Sequence, residues 1–175
     1  RHIMKIISKT MLIALLTLLC YYVFGQRNST PEDFVHKTWT YEVETKGVGN
    51  DGTYLLRITD YVKTRKEPFL EILKRDAVHA VMFNGIPAGG GSVAQPALIN
   101  DENRIEEPEF YMNEFFVDKG PYLNFVNDVA IASLSVVKMK KPSRFKVSVV
   151  ISIKKDDLRK YLVDSKIIKR TDDLF

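Results

Sequence analysis

Apolar and polar positions alternate over Thr38-Trp39-Thr40-Tyr41-Glu42-Val43-Glu44, with Trp39, Tyr41 and Val43 on one face. A period of two predicts a half-buried strand. The glycine-rich stretch Gly47-Val48-Gly49-Asn50-Asp51-Gly52 then reads as a turn, and the β-branched and aromatic run from Thr53 to Val62 as the second arm of a hairpin. Beyond Lys66-Glu67-Pro68 the period changes. Proline suits the first turn of a helix, and Phe69, Ile72, Leu73, Ala77, Ala80 and Val81 recur at helical spacing as one apolar stripe. Val81-Met82-Phe83 reads as the next short strand, and Gly85 and Pro87 end the regular pattern.

From Asn84 to Glu107 the chain reads as a loop, with Pro87, Gly89-Gly90-Gly91, Pro96 and the polar Asn100-Asp101-Glu102-Asn103. A loop of this length inside a domain is either functional or mobile. Pro108 opens a second helix to about Val117, Gly120-Pro121 breaks it, and Tyr122 to Val126 adds a short helical turn. Two strands close the sheet, Ala130–Met139 and Phe145–Lys154, joined by Lys140-Lys141-Pro142-Ser143. In the second, Phe145, Val147, Val149, Ile151 and Ile153 share the face assigned to the core. A last helix begins at Asp156 or Asp157, whose carboxylate would cap it. The pattern shows neither an internal repeat nor a sharp boundary. It predicts one α+β domain over 38–175, an antiparallel sheet of four or five strands packed by two or three helices.

The N-terminal segment follows a different logic. Arg1-His2-Ile3 precede the first methionine and read as an added tag or a misplaced start. Lys5 and Lys9 then stand before an uncharged run, Met11 to Phe24, of 14 residues, followed by Gly25-Gln26. A basic start, an apolar stretch of roughly 7–15 residues and small residues at its end make a signal peptide. A membrane span needs about 20 apolar residues. The expectation is therefore a signal peptide over 1–25, cleaved before Gln26, and a polar leader over 26–37. Cys20 raises lipidation as a minority reading, since Leu19 precedes it and the apolar run continues past it. The cut removes the only cysteine, so no disulfide would support the exported domain.

It also changes the charge. Without Arg1, Lys5 and Lys9, 23 basic residues remain against 22 acidic ones, and the basic balance of the whole chain is no sign of nucleic-acid binding. The remaining charge is unevenly placed. Residues 26–137 hold 11 basic and 17 acidic side chains, whereas 138–170 hold 12 basic and three acidic ones. Lys138, Lys140, Lys141, Arg144 and Lys146 flank one hairpin turn and form the candidate docking site for an anionic partner, a protein or an envelope polymer. The competing reading is a sheet edge guarded by lysine.

Candidate chemistry is otherwise sparse. Gly47-x-Gly49-x-x-Gly52 matches the dinucleotide fingerprint in letters, but it leads into a strand where that fold needs a helix. Gly89-Gly90-Gly91-Ser92 lacks the lysine of a phosphate loop, and loop flexibility accounts for it. Asn28-Ser29-Thr30 is a bare glycosylation triplet and carries no weight. His36 lies in the leader. His79 sits one position off the apolar stripe beside Arg75 and Asp76, which predicts a surface or boundary histidine. No catalytic residue, metal ligand or cofactor is assigned. Carboxylates brought together by the fold stay open as a hydrolase site.

Several stretches resemble uncharacterised small exported proteins of Bacteroidota. They are Lys46-Gly47-Val48-Gly49 with Gly52 to Leu56, Asp76 to Gly85, Asn113-Glu114-Phe115-Phe116, and Lys155-Asp156-Asp157-Leu158-Arg159-Lys160-Tyr161-Leu162. The Phe24-Gly25-Gln26 signal end fits the same phylum. The helix-then-strand piece also looks like the small α+β modules of envelope lipoproteins and secretion accessory proteins. With the signal peptide and the absence of catalytic motifs, the expectation is a periplasmic or extracellular, non-enzymatic envelope protein that binds a partner, an accessory of envelope or secretion assembly with no stable membrane span after cleavage. The resemblance supplies no catalytic residue. The alternative from another class is an exported hydrolase acting on cell-wall or glycan substrates.

Overall fold

The expected hairpin forms, but its first arm is displaced along the chain: β1 (Glu42–Val48) starts four residues after the expected Thr38 and takes in Gly47 and Val48, expected in the turn, because its pairing with β2 (Thr53–Val62) runs only from Glu42 opposite Thr59 to Val48 opposite Tyr54. The two strands are antiparallel, and Gly49–Gly52 turn between them. The computed structural model describes residues 34, 37–66, 68–104 and 109–170. The expected signal peptide with Cys20, the Asn28 triplet, His36, Pro108 and the tail acids Asp172 and Asp173 lie outside them. Glycine is needed at the turn's end. Gly52 has φ +68° and lies against the Asp156 carboxylate, so a side chain there would be both strained and crowded.

After β2 the chain leaves the sheet through α1 (Phe69–His79), which runs into a single π-helical turn, Ala80–Asn84. The short strand expected at Val81-Met82-Phe83 is thus helical. The helical stripe continues through Ala80, Val81 and Met82, all fully buried, so packing favours prolonging the helix until Gly85, at φ +80°, ends it. A loop follows, then α2 (Glu109–Phe115) and a 3-10 turn at Pro121–Phe125. β3 (Val126–Lys138) starts four residues before the expected Ala130, and β4 (Phe145–Lys154) has the expected bounds. α3 (Lys155–Asp164) follows β4 directly. It carries no side-chain cap, contrary to the role expected of Asp156 or Asp157: both lie inside its first turn, where they favour the helix through its dipole.

The sheet order is β1-β2-β4-β3, with every neighbouring pair antiparallel, so the described residues form a four-stranded open sheet packed with three α-helices. Leu56, Ile58 and Val62 on β2 meet Val147, Val149, Ile151 and Ile153 on β4 in one core face, each at most 2% exposed. Leu73, Ala77 and Val78 of α1, Phe115 of α2 and Leu158 and Leu162 of α3 complete the same cluster. Phe34, from the segment read as leader, joins it. It stacks with Trp39 at 6.4 Å, and its N–H donates to Asn113 Oδ1 at 2.7 Å. Burial of about 25 cal/mol per Å2 of apolar surface is the main term holding these layers together.

The edges of the sheet are irregular. β1 bulges between Thr45 and Gly47. β3 takes five steps from Ala130 to Ser135 while β4 takes two from Val150 to Ser148. Ser133 fills the gap, its hydroxyl accepting the Val150 N–H at 2.8 Å while donating to the Ala130 carbonyl at 2.6 Å.

Candidate functional site

Among the described residues, charged side chains gather at one expected place and at one that was not expected. The expected one is the basic end of the β3–β4 hairpin. Met139 N–H donates to the Arg144 carbonyl at 2.8 Å and closes the turn around Lys140, Lys141, Pro142 and Ser143. Lys138, Lys140, Lys141 and Arg144 are exposed, and none of the four has an ion pair among the described residues. Lys146 stands apart from them. It faces Tyr61 across β2, with its ammonium 5.7 Å from that ring, and lies 3.6 Å from the Glu42 carboxylate on β1. Its pKa is raised by the Tyr61 hydroxyl and by Glu42. The structure therefore groups four of the five candidate residues and commits the fifth to an ion pair on the open sheet face.

The unexpected place is a buried polar cluster built on α1. Arg75, Asp76 and His79 are only 5%, 1% and 8% exposed, which corrects the expectation of a surface histidine. His79 stacks on Trp39 with ring centroids 3.7 Å apart and planes at 16°. Asn84 Nδ2 donates to the Tyr41 oxygen at 2.9 Å, which leaves the Tyr41 O–H to donate to His79 Nδ1 at 2.5 Å. That chain assigns a neutral imidazole with its proton on Nε2. Burial, helped by Lys37, pushes the His79 pKa down to about 3. Burial together with Asp76 raises that of Tyr41.

Asp76 has the opposite problem. Its Oδ2 is buried without a hydrogen-bond partner, and Asp60 on the core face of β2 confronts it. Burial first, and the Asp60 charge second, push its pKa up to about 8, against weaker opposition from Lys37 and Arg75. A carboxyl group that keeps its proton at neutral pH can donate to Asp60, whereas an ionised one only accepts. Asp60 itself is held by the Tyr61 N–H at 2.7 Å. Arg75 forms an ion pair with Asp118 and lies over the rings of Phe34 and Tyr122.

The signal for this cluster was present in the sequence. Asp76 falls three residues after Leu73 and four before Ala80, inside the apolar stripe, and Tyr41 shares a face with Trp39 and Val43 in the alternating run that leads into β1. Two glycine motifs resolve as structure. Gly47 lies in the β1 bulge and Gly49 in the hairpin turn. The Gly89–Gly91 run is a tight loop laid on β1, not slack chain: a Cβ at Gly90 would stand 2.4 Å from the Gly47 nitrogen. A polar depression of about 460 Å3 opens beside the hairpin turn, between Asn50, Asp51, Asn127, Ser152, Lys154 and Asp157. Its charges are of both signs. Among the described residues no group of three or more histidine, cysteine or acidic side chains is placed to hold a metal, and no helix is long and apolar enough to cross a membrane. No protein-family model, no curated protein and no solved structure matches the chain.

Proposed function

We propose that the chain is an exported, non-enzymatic envelope protein that binds a protein partner or an anionic surface polymer, as an accessory of envelope or secretion assembly. The observation that carries the reading is the end of the β3–β4 hairpin, where Lys138, Lys140, Lys141 and Arg144 stand exposed without acidic partners among the described residues. Unpaired cations this close in sequence reinforce one another on an anion wherever they approach within a screening length of about 8 Å. The hydrolase alternative has one observation in its favour, the Asp60–Asp76 pair with its proton-holding acid. Asp76 is 1% exposed, however, and its oxygens face the interior of the fold, where a polymer chain does not reach.

The test is retention on immobilised polyglutamate as a function of salt. The wild-type protein should be retained, and Lys138→Glu/Lys140→Glu/Lys141→Glu should elute at clearly lower salt while melting at the same temperature. Equal elution of the two proteins refutes the reading and leaves the lysines as guards of a sheet edge.

A further inference from the structure

The two outer strands of the sheet are finished in different ways. β1 is covered at its bulge. Thr45 Oγ1 donates to the Pro87 carbonyl at 2.5 Å, and Gly89 and Gly90 lie against the backbone from Thr45 to Gly47. β3 has no partner on its far side among the described residues. It is also nearly uncharged, with Asp128 and Lys138 as its only ionisable side chains, and Ile131 and Val137 are 55% and 54% exposed. Open strands of this composition are templates for pairing with another chain.

The ladder fixes which groups are on offer. Met139 and Arg144 are joined by a hydrogen bond at the turn, and bonded pairs alternate with non-bonded ones along an antiparallel ribbon. Val137 and Ser135 therefore exchange bonds with Lys146 and Ser148, and the N–H and C=O groups of Val136 and Lys138 point to the free edge. The bulge from Ala130 to Ser135 breaks the line, so the usable edge is short: Ser135 to Lys138, leading straight into the exposed cations at Lys140, Lys141 and Arg144.

From this juxtaposition we infer that the free edge of β3 from Ser135 to Lys138 accepts an extended polypeptide segment, antiparallel to β3, whose N-terminal end carries carboxylates. The inference rests on the binding reading above and makes the partner a strand. The antiparallel direction continues the pairing of the whole sheet and sets the N-terminal end of the incoming segment beside Lys138 and the turn. Lysines at an edge repel strands that are basic and disfavour burial against apolar ones, and the same charges favour an acidic one, so guard and selector are one device. Main-chain bonds from Val136 and Lys138 supply the pairing and the turn supplies the choice of sequence.

The test uses the full chain and a synthetic probe of about ten residues, three glutamates followed by alternating threonine and valine. Two companions carry the same charge: one is N-methylated at alternate residues and cannot pair as a strand, and the other has its glutamates at the C-terminal end. Fluorescence anisotropy should show saturable binding of the first probe, and about tenfold weaker binding of both companions. Hydrogen exchange at the Val136 and Lys138 amides should slow only with the first. Equal affinity for the N-methylated probe overturns strand pairing while leaving the charge-based binding reading in place. Absence of saturable binding of the first probe also overturns the inference, and only unchanged polyglutamate retention of the triple variant would take the binding reading with it.

Discussion

Asp76→Asn isolates the physics of the buried cluster, because asparagine keeps the shape of the protonated acid and cannot ionise. In the folded chain Asp76 holds its proton up to about pH 8, whereas the unfolded chain releases it near the ordinary value of 3.8. Between those values the folded state binds more protons than the unfolded one, so the contribution of Asp76 is fully present below pH 4 and is lost as pH rises towards 8. The slope is about 1.4 kcal/mol per pH unit. His79 works the other way. Its folded pKa of about 3 lies below the ordinary 6.5, so the unfolded state binds the extra proton and stability rises with pH across that window. From about pH 4 to 6.5 the two slopes cancel, and above 6.5 only the loss from Asp76 remains.

The difference in unfolding free energy between Asp76→Asn and wild type removes His79 and every other group common to both. It should increase in favour of the variant by about 3 kcal/mol between pH 5 and 7.5, a large share of a total near 5–15 kcal/mol. Urea denaturation followed by the fluorescence of Trp39, the only tryptophan and itself stacked on His79, reads this directly. A difference that stays constant over those pH values refutes a proton-holding Asp76, and with it the account of Asp60 as its acceptor.

Gly90→Ala should cost roughly 2 kcal/mol or more by thermal melting, since φ is +54° and the new Cβ meets the β1 backbone; a change within 0.5 kcal/mol would show that the loop merely rests there. Val149→Asp should prevent folding, because Val149 is 1% exposed at the centre of the core face and an unpaired buried charge costs several kcal/mol; an intact far-ultraviolet spectrum with unchanged melting argues against that facing. Intact mass of the protein from its native host should begin at Gln26, and a mass retaining Met11 to Phe24 without lipid argues against export by a cleaved signal.

Why the fold was legible and the cluster was not comes down to what a period can carry. β4 was readable to the residue because Phe145, Val147, Val149, Ile151 and Ile153 alternate without a break, and a slip of one position would turn all five to solvent. The sequence pattern starts β3 four residues late because Asn127 and Asp128 look like a turn, yet the strand's start is set by pairing with Ile153 and Ser152, partners far away in sequence. Val81-Met82-Phe83 is apolar on all sides, a run that suits a short strand as well as the π-helical turn it forms, and only the surrounding core decides between the two. Asp76 is the most instructive case. An acid in an apolar stripe breaks the simple pattern, and the natural reading turns it outward with its helix neighbours Arg75 and His79. The sequence could not show that Asp60, from the opposite strand, would arrive on the same side, or that Trp39 and Tyr41 would close over His79. Charges on flexible side chains at a hairpin end can be counted from the sequence, because local spacing alone brings them together. A buried proton shared between a helix and a strand depends on tertiary contact, and the sequence marks only the residue that breaks the pattern.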